Sequence, residues 1–434
     1  MFKIKKNILL LISLTSLEAS ESFSILPKVD LAIFFDENDK NYSSLGKIVK
    51  QKESLNYSSS VFGGDVGISA KSDDLEFVLQ GSGTTSIQNR SKDDEKINAP
   101  YFDNDRKDFF YLSNIYLSKQ FDDVNLKIGR QKYNNELVNL NKRVTTNQYE
   151  GIYLDYKKDL FKINSFYFDK VASSTVANNV PFNHNYGVMG YGKGYKVGEF
   201  VSVSEHISNK DYDINGAIVS DITYGDLNNN INIQNLYVDD FFDTFDISSK
   251  LNLVYGDFNI TPRIGYIKQV DVGENYYSYD YNHKKIDASM YQSSLRFRYK
   301  DVFTTFKYAS SSSDKDSVLN GTFISPFSNK LGWIIGPQTG HSFIADTISK
   351  EFLAGVNFDI FSKKSVFLIS SIYYDIGANN GLSNRSLDTR EKYIYLNTIV
   401  NKNLNLTIQY SIAKNIDIIT EDSDNFRAYI NYNF

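Results

Sequence analysis

Apolar and polar side chains alternate along most of this chain. The clearest case is residues 404–412, where Leu404, Leu406, Ile408, Tyr410 and Ile412 take turns with Asn405, Thr407, Gln409 and Ser411. A period of two sends successive side chains to opposite faces of a strand. The final ten residues repeat the pattern, with Phe426, Ala428, Ile430, Tyr432 and Phe434 on one face and Arg427, Tyr429, Asn431 and Asn433 on the other. Similar alternation marks Val124-Leu126-Ile128, Ile152-Leu154-Tyr156, Ile260-Ile264-Tyr266, Leu295-Phe297-Tyr299 and the run from Phe352 to Ile360. In Val366 to Tyr374 both faces are apolar, and Tyr186 to Val197 is glycine-rich, so neither run assigns its own inward face.

Two kinds of connection separate these runs. The short ones are Asp73-Asp74, Asp122-Asp123, 157–159, Val197-Gly198-Glu199, 226–230, Gly256-Asp257, Lys300-Asp301, 362–364 and Lys402-Asn403. Tight reversals favour Gly, Asn and Asp geometry, and charge keeps them in water. The long connections are 37–60, 85–108, 134–148, 169–185, 268–288, 311–349 and 378–391, and they hold most Asp, Asn, Ser and Lys clusters. Short turns on one side and long loops on the other are the organisation of a membrane-spanning antiparallel β-barrel, all-β in class. Direct counting gives about 20 strands from Val29–Phe35 onward, at the roughly ten residues per crossing of tilted strands. Closure requires an even number, 18 or 20. No linker divides the chain and no fixed-period repeat indicates a solenoid or propeller.

Composition agrees with a barrel. There are 32 Tyr and 31 Phe against one Trp and six Pro, a strand-forming and interface-forming set. A polar lumen inside an apolar band accommodates a mean hydropathy of −0.37, which a helical membrane protein does not. Lys3, Lys5 and Lys6 precede an apolar stretch from Ile8 to Leu17, and Ala19 with its serine neighbours offers a cleavage site, so residues 1–19 read as an export signal and 20–434 as one barrel. Three lysines and one glutamate leave with that segment, and the formal charge passes from −5 to −7. A mildly acidic chain argues against nucleic acid as a partner. With no cysteine after an export signal, disulfides and thiolate metal sites are excluded.

The segment Tyr111 to Gln131, with an Asp-rich turn between strands and a Gly-basic-Gln ending, resembles the corresponding element of epsilonproteobacterial major outer membrane porins and of the OprD-like porin family. Val29-Asp30-Leu31, this hairpin, Tyr149-Glu150-Gly151-Ile152 and the closing strand follow the same order as in those families. The resemblance implies 18 strands rather than the 20 counted, passive diffusion of small solutes and constriction by outer loops folded inward. It also implies a lumenal arginine ladder, which this sequence does not place position by position. The closing strand ending at Phe434 resembles the terminal signal read by the outer membrane barrel insertion machinery. Outer membrane lipid and lipopolysaccharide are the other expected partners. A homotrimer interface and a lipid face are both apolar and aromatic, so the oligomeric state stays open.

Positions opposite the outward faces are the pore-lining candidates: Lys127, Arg263, Arg296, Arg298, Lys307 and Arg427 with positive charge, and Glu76, Asp155 and Asp359 with negative charge. Rings of charged side chains sort ions. Arg296 and Arg298 share a face with Gln292 and Ser294, although one of the two arginines at a strand end would only anchor the barrel. In the third long loop, Glu136, Lys142 and Arg143 are constriction candidates, set against the plain reading of a solvated charged loop. The loop 311–349 holds Phe323, Phe327, Leu331, Trp333, Ile334, Ile335 and Phe343, too much apolar surface to face water, so it is expected to pack into the mouth or against its neighbours, with Trp333 a further constriction candidate.

Catalytic chemistry finds little support. His184, His206, His283 and His341 lack metal spacing and read as solvated loop residues, and no nucleophile elbow or phosphate-cradling loop is present. Ser342 beside His341 is too unspecific to nominate. The runs Asp93-Asp94-Glu95, Asp103 to Asp108 and Asp239-Asp240 suit weak Ca²⁺ or Mg²⁺ association more than a defined site. No cofactor is expected. A passive porin is the favoured expectation. An adhesin-type barrel would keep its loops and fill its lumen, a difference that conductance separates, and a surface enzyme would show hydrolytic activity in detergent.

Overall fold

The computed structural model describes residues 24–42, 56–89, 108–138, 145–172, 197–207, 214–273, 284–328, 331–382, 385–415 and 420–433. The first strands are β1 (Ser24–Tyr42), β2 (Asn56–Lys71), β3 (Leu75–Asn89), β4 (Phe109–Phe121), β5 (Val124–Gln131), β6 (Gln148–Lys158) and β7 (Phe161–Ala172). Next come β8 (Val201–Ser202), a one-turn helix α1 (Val203–Ile207), β9 (Ala217–Gly225), β10 (Asn230–Val238), β11 (Phe242–Lys250), β12 (Leu253–Tyr255) and β13 (Phe258–Asp271). The chain closes with β14 (Asp287–Tyr299), β15 (Val302–Ser311), β16 (Thr347–Ile360), β17 (Lys363–Ile376), β18 (Leu387–Ile399), β19 (Leu404–Lys414) and β20 (Thr420–Asn433).

Sequential strands pair antiparallel, and β1 pairs with β20 from Asp30↔Asn433 to Tyr42↔Thr420, so the sheet is a closed ring. Eighteen strands form it, with β8 and β12 supernumerary. β12 extends β11 across a break at Leu251-Asn252, because both meet β13 in one register, Lys250↔Arg263 followed by Leu253↔Ile260. β8 adds only two pairs to the upper end of β7.

The direct count of 20 exceeds the ring by one hairpin, and the excess lies at Val197-Gly198-Glu199. That segment belongs to the long connection between β7 and β9, which pair directly from Phe161↔Tyr224 to Phe168↔Ala217. Glycine-rich alternation imitated a strand end there, and Tyr186 to Lys196 lie outside the described residues. Two connections at the long-loop end, 239–241 and 415–419, are as short as the turns at the other end, so length does not mark them as loops in the sequence.

The exterior is apolar. Ile33, Phe77, Leu117, Ile128, Ile152, Ile264, Leu295, Phe306, Phe352, Ile394, Ile408 and Ile430 are all exposed, as lipid-facing residues of a barrel must be. Many of the inward positions are polar, although Ala32, Phe34 and Val78 are buried apolar exceptions. Asp36, Asp65, Ser82, Gln234, Gln292, Glu351, Glu391 and Asn425 are all buried. Among the described residues no helix is long and apolar enough to cross a membrane.

Left-handed residues make the short turns. Asp122, Asp159 and Lys300 have φ near +50°, which short polar residues tolerate better than branched ones. In the β9–β10 turn, the amides of Asn229 and Asn228 both donate to Asp226 Oδ1 at 2.7 Å, holding that carboxyl below the usual carboxylate range.

At the opposite end the barrel contains a dry core. Leu137 and Val138 from residues 132–147 (L3), Val203 and Ile207 from residues 173–216 (L4), and Phe323, Phe327 and Phe343 from residues 312–346 (L7) pack with Phe166, Phe168 and Tyr374 from the wall. The predicted burial of the seventh loop holds: Phe323 and Ile334 are fully buried.

Candidate functional site: an inward loop contact over a basic vestibule

Beneath this core the lumen is lined by polar and charged side chains. A cavity of about 1280 Å³ runs from the short-turn end, where Lys157, Asp159 and Asn228 line it, up to Glu136 and Arg263. Arg296, Arg298 and Lys307 line the same wall. Alternation places them there, since Arg263, Ser294 and Lys307 are paired across β13, β14 and β15 and therefore share one face.

Three residues from two loops and one strand close the top. Arg263 Nη2 donates to Glu136 Oε1 at 2.5 Å, and the Trp333 indole Nε1 donates to Glu136 Oε2 at 2.8 Å. The Arg263 guanidinium lies 3.7 Å from the centroid of the Trp333 ring, a cation–π contact. One carboxylate thus uses both oxygens, and one guanidinium faces both its partners.

The wall holds both loops by their backbones. Gln234 Oε1 accepts from Glu136 N at 3.2 Å, Gln292 Oε1 accepts from Trp333 N at 3.1 Å, and Lys307 Nζ donates to Trp333 O at 2.8 Å. Lys307 also pairs at 2.7 Å with Glu351, whose side chain is 1% exposed. Gly265 makes room for the indole, because a Cβ there would lie 2.8 Å from Trp333 Cζ2. Farther along L7, the amides of Gln338 and Thr339 donate to Glu391 at 2.9 and 3.0 Å, and Thr339 Oγ1 donates to it at 2.5 Å. Arg427 Nη1 donates to Pro337 O at 3.3 Å while its Nε faces Asp36 at 3.4 Å. L7 therefore crosses the lumen from β15 to the β18–β20 wall.

The remaining sequence candidates are scattered. Lys127 lies 5.4 Å from the rings of Tyr116 and Tyr153 and lines a second cavity of about 240 Å³ with Lys132, Lys162 and Asp221. Asp155 has a buried Oδ1 without a hydrogen-bond partner among the described residues. Glu76 accepts from Ser69 at 2.6 Å and pairs with Lys28 at 3.4 Å. Arg296 stacks 4.3 Å over Phe303, whereas Arg298 is spent at the strand end on the carbonyl of Lys300 at 2.8 Å. Asp359 is an exposed residue at the short-turn rim, paired with Lys364 at 3.4 Å. Lys142 and Arg143 lie outside the described residues, as do His184 and His283.

The solvated reading of the other histidines is corrected. His206 is 5% exposed, with Nε2 2.9 Å from Pro326 O and its ring stacked on Phe327, because α1 folds it under L7. His341 packs against Tyr374, and Ser342 is fully buried. Among the described residues no group of His, Asp and Glu side chains is arranged to hold a metal ion. Gln234, Gln292, Glu351 and Glu391 were not nominated from sequence. Their signal was a polar residue at an inward strand position, which is common to every lumen position.

No family model and no curated protein matches the sequence. Solved structures do. OccK9 (OpdG) of Pseudomonas aeruginosa matches with a TM-score of 0.71 at 11% identity, covering 95% of this chain and 98% of that one. OccAB3 of Acinetobacter baumannii matches with a TM-score of 0.69 at 11% identity, covering 94% and 99%. The outer membrane protein OpdK of P. aeruginosa gives 0.66 at 10% identity, covering 95% and 98%. A closed ring of 18 strands, an apolar exterior and full-length superposition together give this chain the fold of the Occ outer membrane barrels.

Proposed function

We propose that this protein is an outer membrane channel of the OprD-like type, passing ions and small hydrophilic solutes by passive diffusion. The observation that carries the reading is the vestibule of about 1280 Å³, lined by charged and amide side chains inside a ring whose exterior is apolar. Water-filled barrels have this inversion of faces. Glu136, Arg263 and Trp333 form the narrow point, with Lys307, Arg296 and Arg298 lining the approach. Lys127, Arg427, Glu76, Asp155 and Asp359 set the surrounding field. In this reading residues 1–19 are removed on export, residues 20–434 form the barrel, short turns face the periplasm, and the closing strand ending at Phe434 engages the insertion machinery.

Deleting residues 323–343 tests the role of L7. Reconstituted in planar bilayers, the variant is expected to conduct more than the intact chain; unchanged conductance with a folded barrel removes L7 from the constriction. An adhesin-type barrel is the second reading, favoured by the dry core at the long-loop end. Liposome swelling in small sugars and amino acids separates the two, since an adhesin gives none.

A further inference from the structure

On the lipid-facing side, at the long-loop end of β16–β20, the registers place basic residues in a row. Lys350 is opposite Tyr373, Tyr373 opposite Arg390, Arg390 opposite Lys414, and Lys414 opposite Asp422. One rung lower runs Phe352, Ser371, Lys392, Ile412 and Asp424. The next rung is Ala354, Ile369, Ile394, Tyr410 and Phe426, where the apolar band begins. Lys350, Arg390, Lys392 and Lys414 are all exposed.

Each rung is two residues, or about 7 Å along a strand, so the four cations sit within roughly 14 Å of the band's upper edge. That is headgroup depth. Among the described residues none of the four has a carboxylate within ion-pair distance, and Arg390 leans over the Tyr373 ring at 5.5 Å. Arg390 and Lys414 are direct cross-strand neighbours, an arrangement of like charges that destabilises a sheet unless an anion lies between them. Asp375 and Asp388 form their own cross-strand pair one rung nearer the loops, and Asp388 accepts from Tyr373 at 3.1 Å. Tyr410 donates to Asp424 at 3.4 Å. With Asp422 opposite Lys414, four carboxylates share this face with the four cations, and none of them comes within ion-pair distance of a cation among the described residues.

We propose that Lys350, Arg390, Lys392 and Lys414 bind the phosphate groups of a phosphorylated glycolipid headgroup in the outer leaflet, its acyl chains lying on Ile394, Ile412 and Phe352. Phosphate is the anion that lipid supplies at this depth, and clustered Arg and Lys are its usual partners. The site rests on the reading of the apolar exterior as the bilayer face.

The test is native mass spectrometry of the full-length protein in detergent, titrated with bisphosphorylated lipid A, with its fully dephosphorylated counterpart, and with inorganic phosphate as competitor. The variants are K350Q/R390Q/K392Q/K414Q, the charge-keeping K350R/K392R/K414R, and K300Q/K363Q/K364Q/K402Q, which removes four lysines from the short-turn end. The first is expected to bind bisphosphorylated lipid A about tenfold or more weakly, and the other two like the unchanged protein, as loss of charge-assisted contacts at one site requires. The dephosphorylated lipid should bind all forms equally. Equal binding of bisphosphorylated lipid A by the first variant overturns the proposal, and so does its full displacement by millimolar phosphate, which would mark a free-phosphate site. Single-channel recordings on the same preparations keep the two readings apart: a conducting barrel without this lipid preference sinks only the lipid site, and a silent barrel that retains it sinks only the channel.

Discussion

The Trp333 indole donates a 2.8 Å hydrogen bond to Glu136 across 197 residues of sequence, joining L3 to L7 inside the barrel. The same carboxylate holds Arg263 on the wall. A loop charge with partners on two elements is fixed in space, and its field in the lumen is fixed with it. Neutralising it is therefore the cleanest perturbation of selectivity.

Glu136→Gln keeps shape and releases the Arg263 charge. A unit charge about 7 Å from a passing ion in water is worth roughly 0.6 kcal/mol, with opposite sign for cations and anions, so the cation-to-anion permeability ratio should fall about sevenfold. Reversal potentials across a salt gradient measure it, and an unshifted potential removes Glu136 from the path.

Gly265→Val drives a side chain into the indole, since even a Cβ would come within 2.8 Å of Trp333 Cζ2. Trp333→Ala removes the indole altogether. Both should raise conductance and open-channel noise while leaving heat-modifiable gel migration, a reporter of barrel folding, unchanged.

Glu391 receives three donors from Gln338 and Thr339 and is fully buried. Hydrogen bonds to a charged acceptor contribute about 1.5–3 kcal/mol each, so Glu391→Ala should detach the L7 tip. Protease cleavage near residue 338 would accelerate by an order of magnitude or more. Equal cleavage rates in the two proteins would show the tip held elsewhere.

Ile264→Arg places a charge on the exterior at a residue 65% exposed, while Ser294→Arg places one in the vestibule. The exterior change should cost about 2–4 kcal/mol if the position lies near the bilayer midplane, and the lumenal one far less. Urea unfolding in lipid vesicles reports the difference, and equal costs would contradict the assignment of faces.

The inward and outward faces were legible because strand period is fixed by backbone geometry, and Leu404 to Ile412 or Leu295 to Tyr299 needed no tertiary information. Strand number was less so: the run around Gly198 carries turn chemistry identical to that of a true hairpin, and only the pairing of β7 with β9 excludes it. Loop burial followed from the apolar content of L7. The partners of Glu136 did not, because a contact spanning 197 residues depends on ring closure, which no local window contains. Glu391 and Gln292 looked like any lumen residue until the loops were laid across them.

Single-channel recording of the purified protein in planar bilayers tests the central claim most directly. A wet passage narrowed at Glu136, Arg263 and Trp333 predicts discrete, ohmic current steps that grow in Trp333→Ala. A folded, membrane-inserted barrel that passes no current in either form would contradict it.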